Sequence, residues 1–261
     1  MKNINLSFKM RGCAKVDNIF SKSEINDFLN SIKINLINIG YDGKKNYQKK
    51  KLDWLIHNLY NNKKERFSKF YSSLQSNPLT YKLSLNPKLI RLVTSLLRIK
   101  KESILLGDLT VRLDNPGVST AAIGWHQESS YYSEINNFDK SILIWFPLKK
   151  ITNKGGGLSF IPGSHSKKQR RYKFDYKIND YVYPAIKKMK KITSEKFVGK
   201  AGSVLACNFN LFHASTPNLT SNFRLSAAFR YFSSETKNIN PFKRVRINKN
   251  FIKYRLKSFV S

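Results

Sequence analysis

Four histidines occur in this 261-residue chain, at positions 57, 126, 165 and 213, and one of them sits in a pattern suited to holding a metal. In Trp125-His126-Gln127-Glu128 an imidazole and a carboxylate stand at i and i+2. On extended backbone those two positions project to the same face, so His126 and Glu128 could share one ion. His213 follows a strand-like run at 203–209 and could bring a second imidazole from a distant strand. Two histidines and one carboxylate on one face of a metal leave the opposite coordination positions open. That arrangement serves the non-heme iron oxygenases, and imidazole plus carboxylate, without thiolate, suits Fe(II). Taken alone, a His-x-Glu triplet equally describes an ordinary surface strand.

A second element adds to the pattern. In Arg224-Leu225-Ser226-Ala227-Ala228, strand alternation puts Arg224, Ser226 and Ala228 on one face. The small neighbours leave room for a carboxylate, which Arg224 could grip through two parallel hydrogen bonds, with Ser226 as a third donor. The alternative is a strand whose arginine faces water. Tyr131 and Tyr132, just after the triplet, could line a substrate entrance or serve as packing aromatics.

These residues need a scaffold, and the chain changes character along its length. Residues 1–101 read as mainly helical. Ser21-Lys22-Ser23-Glu24 has capping-box spacing ahead of Ile25, Phe28, Leu29, Ile32 and Leu36, one apolar helix face, with Gly40 as a stop. A second helix holds Trp54, Leu55 and Leu59, and a third starts at Pro87 and runs to about Lys100. From 102 to 232 short strand-like runs alternate with turns: Ile104–Leu113, Asp114-Asn115-Pro116-Gly117, Ser141–Leu148, Gly155-Gly156-Gly157, Leu158–Ile161 and Pro162-Gly163-Ser164, resuming at 203–209 and 223–232. Many short strands with Gly/Pro turns indicate an antiparallel sandwich or barrel. With helices first, the fold class is α+β. A Lys-rich insertion (166–200) and a basic tail (233–261) complete a single expected domain.

Composition narrows the classes. Lys plus Arg number 48 against 16 Asp plus Glu, a formal net charge of +32. The excess flanks a near-neutral segment at 102–164. An acidic tail, a disulfide scaffold and a collagen-like repeat are excluded, and no apolar run reaches membrane-span length. Cys13 and Cys207 are expected as reduced thiols of a cytoplasmic protein. The basic flanks fit attraction to anions, or simply Lys-rich composition. An anionic small-molecule substrate is the favoured partner. Nucleic acid is disfavoured, since no base-reading motif occurs. Ile252, Leu256, Phe259 and Val260, interleaved with Lys253, Arg255 and Lys257, form a basic amphipathic pattern that would dock on its own domain or touch a membrane surface.

The ordered blocks Trp125-His126-Gln127-Glu128, Trp145-Phe146-Pro147-Leu148, Gly155-Gly156-Gly157-Leu158, Ile161-Pro162-Gly163-Ser164-His165, Ala201-Gly202-Ser203-Val204, His213-Ala214-Ser215, Asn218 and Arg224-Leu225-Ser226 make the chain resemble the phytanoyl-CoA dioxygenase family of Fe(II)/2-oxoglutarate oxygenases. The resemblance covers about residues 104–232. It implies a double-stranded β-helix, the cupin-like jelly roll. It also implies Fe(II) on His126, Glu128 and His213, the distal carboxylate of 2-oxoglutarate on Arg224 with Ser226, and Gln127 near the cosubstrate. The implied reaction uses O2 and hydroxylates a C–H bond of a small metabolite. His165 is then a turn-stabilising histidine, and His57 a packing or surface residue. Glu128 stands where the family usually has Asp, one methylene longer. Two rival classes remain: a jelly-roll binding or regulatory protein without turnover, and an oxygenase acting on nucleic acid.

Overall fold

The computed structural model describes residues 2–117, 124–132, 140–166, 173–175, 180–182 and 193–236. Much of the Lys-rich insertion and the amphipathic pattern of the tail lie outside these residues.

Six α-helices lie within residues 2–97: α1 (Lys2–Arg11), α2 (Lys22–Tyr41), α3 (Leu52–Asn62), α4 (Lys64–Ser73), α5 (Pro78–Ser84) and α6 (Pro87–Leu97). The capping box at α2 is formed: Ser21 Oγ accepts from the Glu24 amide at 3.2 Å, and Glu24 accepts from the Ser21 amide at 2.8 Å. Gly40 does not stop this helix. The helix runs on to Tyr41 and ends on Asp42 in the left-handed region (φ 54°). Gly40 instead lets α3 come close, because a Cβ there would meet Leu59 Cδ1 at 2.9 Å. In α3, Leu55, Ile56 and Leu59 face the core, whereas Trp54 faces outward and stacks on Tyr47. Pro87 opens α6 behind the Asn86 cap, as its fixed φ favours. That helix ends at Leu97, three residues earlier than expected, on left-handed Arg98.

The strands are β1 (Cys13–Val16), β2 (Ile104–Asp114), β3 (Ser141–Pro147), β4 (Leu158–Phe160), β5 (Lys173–Asp175), β6 (Asp180–Val182), β7 (Glu195–Phe197), β8 (Val204–Asn208), β9 (His213–Ser215) and β10 (Arg224–Ser233). All described pairings are antiparallel. They build a five-stranded sheet in the order β1-β8-β3-β10-β2, a three-stranded sheet β7-β4-β9 and the ribbon β5-β6. β1, which the sequence pattern did not announce, pairs with β8 and sets Cys13 directly opposite Cys207. Both thiols are buried and unbridged. Burial pushes the Cys13 thiol up to about 11 and raises Cys207 well above its usual range, so both stay protonated and unreactive.

The large sheet separates two apolar layers. Ile144, Phe146, Leu225, Ala227 and Phe229 point outward and pack with the helices. Leu143, Trp145, Leu205, Cys207 and Ala228 point inward, toward Leu158, Phe160 and Phe197 of the small sheet. β3 is buried at every position because both of its faces are covered. That explains its unbroken apolar sequence. The fold is α+β, with helices covering one face of the larger of two antiparallel sheets.

Candidate active site

The site lies between the two sheets. His213 opens β9, beside Phe160 of β4. His126 pairs with it as an isolated bridge: His126 N donates to His213 O at 2.9 Å, and His213 N donates to His126 O at 3.0 Å. The triplet was expected in a regular strand. Gln127 is extended (φ −111°, ψ 135°), and the chain then enters a single 3-10 turn over Glu128–Tyr131. One extended residue is enough to aim His126 and Glu128 the same way. Gln127 aims oppositely, and its Nε2 donates to Asn210 O at 2.7 Å.

The ligating atoms of His126, Glu128 and His213 all lie within 4.8 Å of one another, and the three residues are buried. Each imidazole Nδ1 faces a backbone carbonyl two residues earlier, Gly124 O at 2.7 Å and Leu211 O at 2.9 Å. Such bonds fix the ring orientation and leave Nε2 as the free lone pair. Burial, and then the neighbouring His213, lower the His126 pKa to about 3, and burial likewise lowers His213. Two neutral imidazoles and a carboxylate result, the protonation state a metal requires. With both rings neutral, the 3.9 Å contact between His213 Nε2 and Glu128 Oε2 is no ion pair. A shared cation satisfies both atoms. The donor set therefore fits an Fe(II) ion.

The other oxygen of Glu128 is held from the large sheet. Arg230 Nε donates to Glu128 Oε1 at 2.5 Å, and Arg230 Nη1 donates to Thr110 Oγ1 at 3.0 Å. Arg230 was not anticipated, yet the signal was there: continuing the alternation Arg224, Ser226, Ala228 by one step reaches it. A register shift between Phe229 and Tyr231 places it opposite the extra residue of β2.

At the other end of the same inward row sits Arg224, facing in and buried. Its Nε and Nη2 reach Asp114 Oδ2 at 2.8 and 2.7 Å. Its Nη1 donates to the carbonyls of Gly156, Gly157 and Thr216. Asp114, expected in a turn, is the last residue of β2 and pairs in register with Arg224. Its second oxygen accepts from Arg112 Nη2 at 2.7 Å. Burial opposes the charge on Asp114, but Arg112 and then Arg224 outweigh it and hold the carboxyl below its usual range. Between the two arginines lies Ser226, fully buried, whose Oγ has no hydrogen-bond partner among the described residues. A hydroxyl without a partner beside an inward arginine fits a carboxylate ligand.

Of the tyrosines, Tyr131 sets its ring edge-on to His126, centroids 5.6 Å apart. Tyr132 is packed between Phe209 and Phe232. His165 stands apart from the triad, its Nε2 3.0 Å from Lys9 O. His57 packs edge-on to Phe223. Among the described residues no helix is long and apolar enough to cross a membrane.

The sequence profile described as Phytanoyl-CoA dioxygenase (PhyH) matches residues 9–226. The chain belongs to the phytanoyl-CoA dioxygenase family. Its fold is shared with solved structures of low sequence identity. The epimerase SnoN in complex with Fe3+, alpha ketoglutarate and nogalamycin RO is 12% identical with a TM-score of 0.63, covering 92% of this chain and 86% of that one. The non-heme alpha ketoglutarate dependent carbocyclase SnoK from nogalamycin biosynthesis is also 12% identical, with a TM-score of 0.62 over 94% and 88%. EvdO2 from Micromonospora carbonacea var. aurantiaca complexed with 2-oxoglutarate is 16% identical, with a TM-score of 0.58 over 89% and 91%. No curated protein matches the chain by sequence. The two facing sheets are thus the jelly roll of the phytanoyl-CoA dioxygenase family. The chain is an Fe/2-oxoglutarate-dependent oxygenase with a His126/Glu128/His213 triad.

Proposed function

We propose that this phytanoyl-CoA dioxygenase family member hydroxylates a C–H bond of a small anionic metabolite. The observation that carries the oxygenase chemistry is the convergence of the buried His126, Glu128 and His213 within 4.8 Å. When bound, iron and 2-oxoglutarate supply oxygen activation, coupled to decarboxylation of the oxo acid to succinate.

The protein's part is placement and dryness. The two imidazoles enter as neutral Nε2 donors, oriented by Gly124 O and Leu211 O. Glu128 offers Oε2, since Oε1 is given to Arg230. Arg224 and Ser226 take the distal carboxylate of 2-oxoglutarate, the hydroxyl of Ser226 gaining its missing partner. Gln127 ties the ligand segment to the loop ahead of His213 through Asn210 O, which sets the cosubstrate side from behind. Leu143, Trp145 and Leu205 lie on the same inward face beside the charged row, and their hydrocarbon excludes water there. Tyr131, beside His126, borders the substrate side, and Tyr132 serves as a packing aromatic. The cationic balance of the chain, +32, favours an anionic substrate by steering.

The test is 2-oxoglutarate turnover to succinate with Fe(II) and O2, comparing the wild type with His126→Ala and Arg224→Ala. Loss in both variants supports the reading. Equal background in all three would leave a binding protein of the same fold. A salt series on substrate KM then checks steering, a flat response counting against an anionic substrate.

A further inference from the structure

Arg224 stands at the very end of its strand. Its pairing with Asp114 is the terminal rung of the β10–β2 ladder, and the register with β3 begins only at Ser226. Among the described residues the ladder therefore holds Arg224 from one side alone. A guanidinium projected from a fraying strand end would grip a carboxylate poorly, because displacements of an ångström already spoil such contacts. The helical layer supplies the missing anchor. Phe223 turns outward where Arg224 turns in. Its ring enters a cluster of His57 and Tyr60 of α3 and Phe67 of α4, at centroid distances of 4.9, 5.4 and 6.0 Å. His57 and Tyr60 are three residues apart on one helix and so share a face. On the neighbouring strand, Asn115 Nδ2 donates to the hydroxyl of the same Tyr60 at 2.7 Å. Asn115 directly follows Asp114, whose Oδ2 accepts from Arg224 Nε at 2.8 Å. Tyr60 thus touches the residue before Arg224 and the residue after its partner. Phe67, edge-on to Tyr60 at 5.1 Å, steadies the tyrosine in turn.

We propose that Tyr60 is a positioning residue for the cosubstrate. Holding Phe223 with its ring and Asn115 with its hydroxyl, it fixes the terminal rung and so aims Arg224 at the distal carboxylate of 2-oxoglutarate. A side chain of the helical layer, on the outer face of the large sheet, thereby sets an affinity on the inner face. This inference rests on the reading of Arg224 and Ser226 as the distal-carboxylate site.

Anaerobic calorimetric titration of the Fe(II)-loaded protein tests it, using 2-oxoglutarate and 2-oxopentanoate, which keeps the oxo acid but lacks the distal carboxylate. Tyr60→Phe and Asn115→Ala each weaken 2-oxoglutarate about fivefold, the scale of one lost hydrogen bond, and leave 2-oxopentanoate unchanged. The double variant Tyr60→Phe/Asn115→Ala binds 2-oxoglutarate no more weakly than the weaker single variant, because both changes remove the same bond. Phe223→Leu keeps an apolar side chain but loses the ring contacts, and weakens 2-oxoglutarate on the order of tenfold. Retained 2-oxopentanoate binding certifies a folded site. Undiminished 2-oxoglutarate affinity in Arg224→Gln would remove the reading beneath the inference. Three results overturn the inference alone: a sensitive Arg224 with an indifferent Tyr60, both oxo acids weakened alike, or single-variant losses that add in the double variant.

Discussion

Arg230 and Glu128 meet at 2.5 Å through Nε and Oε1, which leaves only Oε2 of that carboxylate facing His213. The longer side chain of glutamate, compared with aspartate, has an extra rotatable bond, and the arginine takes up that freedom. Arg230→Gln is therefore expected to lower metal affinity by about 10–100-fold, the usual cost of losing a partner that orients a ligand. Competitive Mn(II) titration against a chelator measures it. Unchanged affinity would mean that Glu128 is held without Arg230.

Ser226 separates function from stability. Its buried hydroxyl has no partner among the described residues, so Ser226→Ala removes an unsatisfied group. The melting temperature should hold or rise slightly. The KM for 2-oxoglutarate should rise about tenfold, as for the loss of a hydrogen bond to a charged group. A fall in stability with KM unchanged would count against a ligand-binding hydroxyl.

Gly156 couples the glycine run to Arg224. It sits at φ 72°, where a Cβ would come within 2.7 Å of Thr216 O and 2.9 Å of Arg224 Nη1. Gly156→Ala is expected to cost on the order of 2 kcal/mol from backbone strain and crowding. It should also raise the KM for 2-oxoglutarate by displacing Arg224. Thermal melts and steady-state kinetics on the same preparation check both.

Acid should loosen the Arg112–Asp114–Arg224 cluster. The folded pKa of Asp114 lies below its unfolded value. Its contribution to stability is therefore full above the unfolded pKa of about 3.9 and drains away as pH falls toward the folded value. Between pH 4 and lower values, roughly, wild type should lose melting temperature faster than Asp114→Asn. Parallel slopes would show that Asp114 contributes nothing to acid stability.

Much of this was legible in local pattern. The capping box at Ser21 and the apolar stripe of Ile25, Phe28, Ile32 and Leu36 named α2, because helix signals lie within a few residues. The triad was readable because the positions of His126 and Glu128 need only one extended residue between them. What escaped depends on long-range pairing. Cys13–Val16 is too short to announce itself, and it becomes a strand only because β8 presents an edge. Asp114 looks like a turn residue before Asn115-Pro116-Gly117 until β10 is laid beside it. Gly40 resembled a helix stop because its tertiary use, the approach of Leu59, has no local signature.

β10 alternates two duties residue by residue, with Leu225, Ala227 and Phe229 turned to the helices and Arg224, Ser226 and Arg230 turned to the chemistry. Point substitutions can therefore retune one duty while sparing the other. A single inserted or deleted codon within this strand cannot: it would thrust guanidinium groups among the helices and bulky hydrocarbons among the ligands at once. Over evolutionary time this segment should drift by replacement and scarcely ever by change of length.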